Sequence, residues 1–341
     1  MQQDSPVVVT DKLTKKYDEL TALDEVSISL NRGEILGIIG PNGAGKTTMI
    51  KILVGLARPT SGMVRIAGAD CMRDASKIKH LVGYMPDKFG SYDNMRVREY
   101  LDFFGAAFGL RRKERKKRIE AVLDTTDATY MQDRFVETLS YGMQQRIGIA
   151  RTLLHDPEVL IFDEPANGLD PQARVDMRNL LLQLAQMGKT LIVTSHILPE
   201  LSRICDQVAI LTHGKLRAFG TLEDIMSLVS QKRVIETQLT TADQIEEAIT
   251  IIRQSVETDA EITGSAAEAI VRFQTSRSDS ELSELLAKLV TAGIHVSQFR
   301  ELQTSLEDAF LSVTQNDDRQ ASAASTSAEV VQTGSASGGA G

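Results

Sequence analysis

Short apolar runs alternate with helical patterns along the first two thirds of the chain. Over residues 26–30 apolar and polar residues alternate, as in a half-buried strand, and an Asn-Arg-Gly turn at 31–33 leads into the uninterrupted apolar run at 35–39. This pattern predicts two strands joined by a hairpin. After residue 45 the apolar period becomes helical, so the predicted order is strand, glycine-rich loop, helix.

Two further apolar runs, at 159–162 and 191–193, flank a segment with clear helix start and stop signals. Asp170 is placed as the N-cap of this helix, Pro171 lies at its first position and Gly188 closes it. Strands that are apolar on both faces and alternate with helices are typical of a parallel sheet covered by helices.

The remaining parts of the chain have other patterns. Residues 88–156 contain several helical segments and few β-branched runs, which predicts a helical insertion. From 233 to 299 the order is strand, helix, strand, strand, helix, strand, which predicts a small α+β ferredoxin-like domain, and a last helix is predicted at 304–314. The end of the chain is rich in Ser, Ala and Gly and is predicted to be disordered. The predicted domains are therefore 1–230, 231–315 and a tail at 316–341.

Composition narrows the class of protein. The chain has 341 residues, 42% of them hydrophobic, and a formal net charge of −8, which repels nucleic acid over most of the surface. No apolar run approaches the ~20 residues that a membrane span needs, and the start lacks the pattern of a secretory signal. Two cysteines, Cys71 and Cys205, cannot form a disulfide framework. We therefore expect a cytoplasmic protein that reaches a membrane only through a partner.

A candidate phosphate-binding loop has the spacing of Gly, four residues, then Gly-Lys-Thr. Its backbone N–H groups can surround an anion, the following helix N-terminus adds partial positive charge, and Lys46 can reach the β and γ phosphates of a nucleotide. Thr47 offers a hydroxyl to Mg²⁺, and Thr48 offers a further phosphate contact. A glycine-rich turn with a chance lysine is the alternative, but the position between a strand and a helix disfavours it. The loop predicts ATP and Mg²⁺ as cofactors, held by Gly40, Pro41, Asn42, Gly43, Ala44, Gly45, Lys46, Thr47 and Thr48.

Two adjacent carboxylates, Asp163 and Glu164, directly follow the apolar run at 159–162. The carboxyl edge of a parallel sheet is where open α/β folds bind ligands. Asp163 is therefore a candidate for holding Mg²⁺ through water, and Glu164 for polarising the attacking water. Taken alone, the pair could equally be a solvated strand end. Its combination with the Lys46 loop favours the catalytic interpretation.

Together these motifs resemble the ATP-binding subunit of an ABC transporter over about the first 220 residues. The family signature is similar to Leu139-Ser140-Tyr141-Gly142-Met143-Gln144-Gln145-Arg146. Four other elements occur in the family's order, namely Tyr17, Val82-Gly83-Tyr84-Met85-Pro86, Asn167-Gly168-Leu169-Asp170 and Thr194-Ser195-His196.

The resemblance implies a fold and a set of residue roles. The fold class is α/β: a P-loop NTPase core, in which a parallel sheet is joined by an antiparallel β subdomain, with the helical insertion and the C-terminal domain described above. Tyr17 is expected to stack on adenine, and His196 to sense the γ-phosphate, acting in hydrolysis with Lys46 and Glu164. The remaining expected nucleotide contacts come from Ser140, Gly142, Met143, Gln144 and Asp170.

Two departures from the family's pattern stand out. Asp87 occupies the position where the family usually has glutamine, next to the expected metal, so it is a candidate third Mg²⁺ ligand. Tyr141 and Met143 replace the commoner Gly and Gln of the signature, whereas Ser140 and Gly142 are present. This variant resembles exporter ATPases with type-2 membrane subunits, as does the extra domain after residue 220.

The resemblance implies an ATP-hydrolysing subunit of an ABC transporter, and the signature variant implies an exporter. Dimer closure on MgATP and hydrolysis would then be coupled to a separate transmembrane permease.

 
The predicted partners are that permease and a second ATP-binding subunit, in a homodimer or heterodimer that closes head to tail; no nucleic acid is expected. The predicted location is the inner face of the cell membrane, peripheral and bound through the permease.

The sequence alone leaves two alternative functions to weigh, and it leaves the role of one basic run open. A soluble ABC-type ATPase acting on ribosomes or DNA is the main rival, although tandem cassettes and Cys-x-x-Cys insertions are missing from the sequence. A nucleotide sensor without hydrolysis would lack Glu164 or His196, and both are present. The basic run at 111–118 is either a solvated helix face, a patch facing anionic lipid, or an RNA-binding patch.

Overall fold

Among the described residues, the first part of the chain forms one mixed sheet of ten strands. The computed structural model describes residues 6–87, 90, 94–195, 201–229, 233–258 and 260–302. The ten strands are β1 Val8–Tyr17, β2 Leu20–Leu30, β3 Ile35–Ile39, β4 Ser61–Ile66, β5 Ala69–Asp70, β6 Val82–Met85, β7 Val159–Asp163, β8 Thr190–Ser195, β9 Gln207–Thr212 and β10 Lys215–Gly220. Their order across the sheet is β5-β4-β1-β2-β10-β9-β3-β8-β7-β6.

The parallel part of this sheet confirms the predicted α/β core. Strand β3 pairs in parallel with β8 and β9, and β7 pairs in parallel with β6 and β8. Every residue of β3, β7 and β8 is buried. Strands that are covered on both faces need apolar residues throughout, which explains their uninterrupted apolar runs.

The predicted hairpin between the strands at 26–30 and 35–39 is wrong. Strand β2 pairs antiparallel with β1 and in parallel with β10, whereas β3 lies three places away from β2 in the sheet. The turn between them is closed locally, because the Glu34 carboxylate accepts hydrogen bonds from the backbone and the side chain of Asn31 at 3.0 and 2.9 Å. A short turn therefore redirects the chain from the antiparallel part of the sheet into the parallel part.

Helices pack around this sheet. They are α1 Lys46–Leu53, α2 Ala75–Leu81, α3 Val97–Ala107, α4 Arg112–Thr125, α5 Tyr141–Leu153 and α6 Pro171–Gln186. A further helix, α7 Leu222–Val229, follows β10 along the chain. Helices α3 to α5 lie in the predicted helical insertion. Helix α6 begins as predicted, since the Asp170 carboxylate accepts a hydrogen bond from the Ala173 N–H at 2.9 Å.

The last described part of the chain forms a second, antiparallel sheet. Its elements are β11 Arg233–Leu239, α8 Ile245–Ser255, β12 Ile262–Ser265, β13 Ile270–Thr275, α9 Asp279–Thr291 and β14 Val296–Leu302. The strand order is β12-β13-β11-β14. Two helices inserted in this order of strands make the ferredoxin-like arrangement that the sequence predicts. Its core includes Ile235, Phe273, Leu285 and Leu289.

The chain divides into two compact units, Met1–Leu222 and Glu223–Gly341. The sequence-based boundaries after residues 230 and 315 stay predictions. The predicted helix at 304–314 and the predicted tail at 316–341 lie outside the described residues. Within the described part, no helix combines the length and the apolar character needed to cross a bilayer.

Candidate nucleotide-binding site

The loop from Gly40 to Gly45 joins the end of β3 to the start of α1, as the sequence predicts. Two glycines fit where a side chain would not. A Cβ atom on Gly40 would lie 2.3 Å from the Leu211 carbonyl oxygen. Gly45 has a φ of 103°, and a Cβ atom there would lie 2.5 Å from the Ala22 carbonyl oxygen. The loop can therefore fold tightly over the strand ends only with glycine at these positions.

The ammonium group of Lys46 lies inside this loop. Its Nζ atom donates hydrogen bonds to the carbonyl oxygens of Gly40 at 2.6 Å and Pro41 at 3.2 Å, and it is 3.9 Å from Oε1 of Glu164. Burial lowers the pKa of Lys46, whereas the charges of Glu164 and Asp163 act in the opposite direction. The loop therefore concentrates positive charge where a phosphate group would enter.

The two predicted carboxylates stand at the carboxyl end of β7. Asp163 is the last residue of this strand, and Glu164 follows with a φ of 52°. Thr194 on the neighbouring strand donates a hydrogen bond to Oδ1 of Asp163 at 2.7 Å and accepts one from the Glu164 N–H at 2.9 Å. Burial raises the pKa of Asp163, and the bond from Thr194 partly offsets this.

An open cleft of about 790 Å³ brings most of the predicted site residues together. It is lined by the Lys46 loop from Pro41 to Thr48 and by Tyr17, Asp87, Asp163 and Glu164. The Tyr17 side chain is 43% exposed, and Lys15 Nζ lies 4.5 Å from the ring centroid. Gly40 does not line the cleft; it lies at the start of the loop, where its Cα closely approaches the Leu211 carbonyl group.

Five residues of the cleft were missed by sequence reasoning, namely Leu20, Thr21, Ala22, Asn167 and His213. The first three lie at the start of β2, a few residues after Tyr17. Their position close to the expected adenine-stacking residue could have predicted that they line the cleft. Asn167 belongs to a segment that carries the family resemblance, but only Asp170 of that segment was among the expected nucleotide contacts. His213 lies in the turn between β9 and β10, and no local pattern marks it.

Another group of predicted contacts lies away from this cleft. The Ser140 hydroxyl accepts a hydrogen bond from the Met143 N–H at 3.4 Å and so caps α5. Gly142 and Gln144 belong to the first turns of the same helix, and Asp170 caps α6. Among the described residues that line the cleft, none comes from this group. His196 lies outside the described residues.

The oxygen donors in the cleft fit a magnesium ion. Thr47, Asp87 and Asp163 all line it, and hydroxyl and carboxylate oxygens are the ligands that Mg²⁺ prefers. In the described part of the chain, no group of three or more His, Cys, Asp or Glu residues could hold a metal by itself. Magnesium commonly takes one or two carboxylates together with substrate phosphates, which agrees with this sparse set.

The basic run at 111–118 divides into two kinds of residue. Arg115 forms two hydrogen bonds to the Asp102 carboxylate, at 2.6 and 3.0 Å. Arg118 donates to the Leu153 and Leu154 carbonyl groups and to Asp156. These two arginines join α4 to its neighbours, whereas the other five basic residues of the run are exposed.

A parallel sheet, a glycine-rich loop around a lysine and a helix that starts at that lysine define a P-loop nucleoside triphosphatase. Residues 23–167 match the family described as ABC transporter. The linearmycin resistance ATP-binding protein LnrL of Bacillus subtilis is 32% identical over 304 residues, which cover 89% of this chain and 97% of the relative. The bacitracin transport ATP-binding protein BcrA of Bacillus licheniformis is 35% identical over 90% of this chain and 97% of its own length.

Solved structures of ABC transporter cassettes also superpose on this chain. A bacterial ABC transporter cassette, MJ0796, in a dimeric structure, superposes with a TM-score of 0.57 at 26% identity and covers 63% of this chain and 98% of that chain. The chain belongs to the ABC transporter family, as an ATP-binding subunit. It is an ATPase, and ATP is its nucleotide.

Proposed function

We propose that this chain is the ATP-hydrolysing subunit of an exporter, in which two such subunits close head to tail on MgATP and drive a separate permease. The observation that carries the proposal is the separation of two parts of one site. Lys46, Asp163 and Glu164 share a cleft, whereas Ser140 caps α5 and does not line that cleft. A site that needs both parts is completed by a second copy of the subunit.

The proposed chemistry assigns a task to each residue of the cleft. Glu164 orients and polarises the attacking water, and Lys46 with His196 stabilises charge on the transferred phosphoryl group. Thr47 and Asp163 are the proposed ligands of Mg²⁺, with Asp87 as a further candidate. When bound, this ion neutralises charge on the phosphate oxygens. Tyr17 is proposed to stack on the adenine ring, since its exposed ring lies at the wall of the cleft.

An apolar groove supports the proposed permease contact. The groove, of about 430 Å³, is lined by Tyr84 on β6 and Pro86 after it, by Phe104 on α3 and Phe108 after it, by Val54 and Leu56 after α1, and by residues of α2 and α5 such as Ile78. Half-buried aromatic side chains in a groove are suited to a helix or loop of another protein. Relatives named for linearmycin resistance and bacitracin transport support a transport role.

Replacement of Glu164 by Gln tests the proposed dimer and the proposed base together. Gln keeps the size of the side chain but cannot accept the proton of water, so turnover should fall by ~10²–10³ while ATP still binds. Size-exclusion chromatography with MgATP should then show the variant as a stable dimer. Glu120→Gln is the matched control, because Glu120 is exposed on α4 and should leave turnover unchanged.

Turnover of Glu164→Gln close to wild type would mean that another residue is the base. A monomer at saturating ATP would contradict head-to-tail closure.

The permease contact is tested by purifying the tagged chain in detergent from membranes of the cells that naturally produce it. A protein with several apolar spans of ~20 residues should be recovered with it. Recovery with ribosomal particles instead would favour the soluble ATPase.

A further inference from the structure

Thr194 is a buried polar residue for which the mechanism above has no role. It is fully buried and lies next to the last residue of β8, at the carboxyl edge of the sheet. Strands β7 and β8 are in parallel register there, with Asp163 paired to Thr194. This pairing brings the threonine side chain to the two carboxylates that the proposed mechanism needs.

One hydroxyl group makes two hydrogen bonds at this position. Its O–H donates to Oδ1 of Asp163 at 2.7 Å, and its oxygen accepts from the backbone N–H of Glu164 at 2.9 Å. A threonine hydroxyl can donate once and accept at the same time, so both bonds are compatible. Thr194 therefore touches the side chain of one carboxylate residue and the backbone of the next.

The backbone of Glu164 needs this support. Its φ of 52° lies in the left-handed region, which is unfavourable for a residue with a Cβ atom. The bond from its N–H to Thr194 and the bond from the Asn167 N–H to its carbonyl oxygen, at 3.1 Å, hold the chain in that conformation. Relaxation of this turn would move the Glu164 carboxylate away from its place near Lys46.

We propose that Thr194 is a positioning residue for ATP hydrolysis, whose hydroxyl fixes the Asp163 carboxylate and the strained Glu164 backbone in one arrangement. The inference rests on the proposed roles of Asp163 and Glu164. Thr194 does not line the nucleotide cleft, so it acts through its two partners.

The test replaces the hydroxyl and leaves the shape of the side chain. Thr194→Val should lower kcat by about 10²-fold, because a displacement of the reacting groups by about 1 Å can lower the rate by about that factor. The Kd of ATP measured without Mg²⁺ should change by less than about 3-fold, since the Lys46 loop is untouched. Thr194→Ser keeps the hydroxyl and should restore kcat to within about 5-fold of wild type.

Thr190→Val is the matched control. Thr190 lies at the other end of β8, is equally buried, and its hydroxyl accepts a hydrogen bond from the Gly33 N–H at 3.0 Å. This variant also loses a buried hydroxyl, so a loss of stability alone should affect both threonine variants, whereas kcat should fall only in Thr194→Val. Thermal unfolding of each variant reports whether the fold is intact.

Two results would overturn the inference: a kcat of Thr194→Val equal to that of Thr190→Val, or a Thr194→Ser variant as slow as Thr194→Val. The Glu164→Gln variant is measured in the same assay. If that variant turns over at the wild-type rate, the proposed function of Glu164 fails. If it is inactive while Thr194→Val is normal, only the role of Thr194 fails.

Discussion

The tight approach of the Lys46 loop to the neighbouring backbone predicts a large difference between two glycine variants. Gly45→Ala forces alanine to a φ of 103° and puts its Cβ atom 2.5 Å from the Ala22 carbonyl oxygen. The left-handed conformation costs ~1–2 kcal/mol, and overpacking against a backbone atom adds ~1–3 kcal/mol. Gly43→Ala has a similar φ of 82° but nothing within 4 Å of the added atom, so only the first cost applies.

The difference of ~1–3 kcal/mol corresponds to a gap in Tm of roughly 2–12 °C for a unit of this size. Thermal unfolding is measured without nucleotide, so that contacts to ATP do not contribute. Gly45→Ala should melt at the lower temperature, and it should also bind ATP more weakly because the loop must shift. Equal Tm values for Gly43→Ala and Gly45→Ala would mean that the close approach to Ala22 is wrong.

Arg118 is a partly buried charge and Lys46 a buried one, and each can be tested. Arg118→Ala should lower the free energy of unfolding by ~1–3 kcal/mol, because the carbonyl groups at the end of α5 lose their hydrogen-bond donor. In the same denaturant titration, Lys117→Ala should change it by no more than ~0.5 kcal/mol. Equal losses in the two variants would contradict the structural role of Arg118. Burial lowers the pKa of Lys46, so its charge is lost at a lower pH than that of an exposed lysine, and ATP affinity should fall as the pH rises from about 7 to about 10. A constant affinity by calorimetry over this range would refute it.

The sequence predicted the elements whose signals are local. The Lys46 loop depends on spacing within eight residues, and the cap of α6 depends on Asp170 and Pro171, which are adjacent. The uninterrupted apolar runs of β7 and β8 indicated strands whose two faces are both buried. In each case the residues that determine the element are close together in the chain, so the pattern can be recognised from one sequence.

The errors concern pairing between distant segments. The turn after β2 looked like a hairpin, yet β3 pairs with strands that lie far along the chain, as in the pairs Ile35 with Leu191 and Leu36 with Gln207. Thr194 was noted only as part of a motif, and its contact with Asp163 follows from strand register. His213 reaches the cleft through the β9–β10 turn, which the sequence does not connect with the Lys46 loop.

The most direct test of the account is calorimetric titration of ATP into the wild type and into Lys46→Ala. We expect the heat of binding to be lost in Lys46→Ala, because the buried ammonium group is removed from the loop that receives the phosphates. Lys51→Ala is the matched control, an exposed lysine on the same helix, and should bind ATP like the wild type. An ATP affinity of Lys46→Ala equal to that of Lys51→Ala would contradict the central claim.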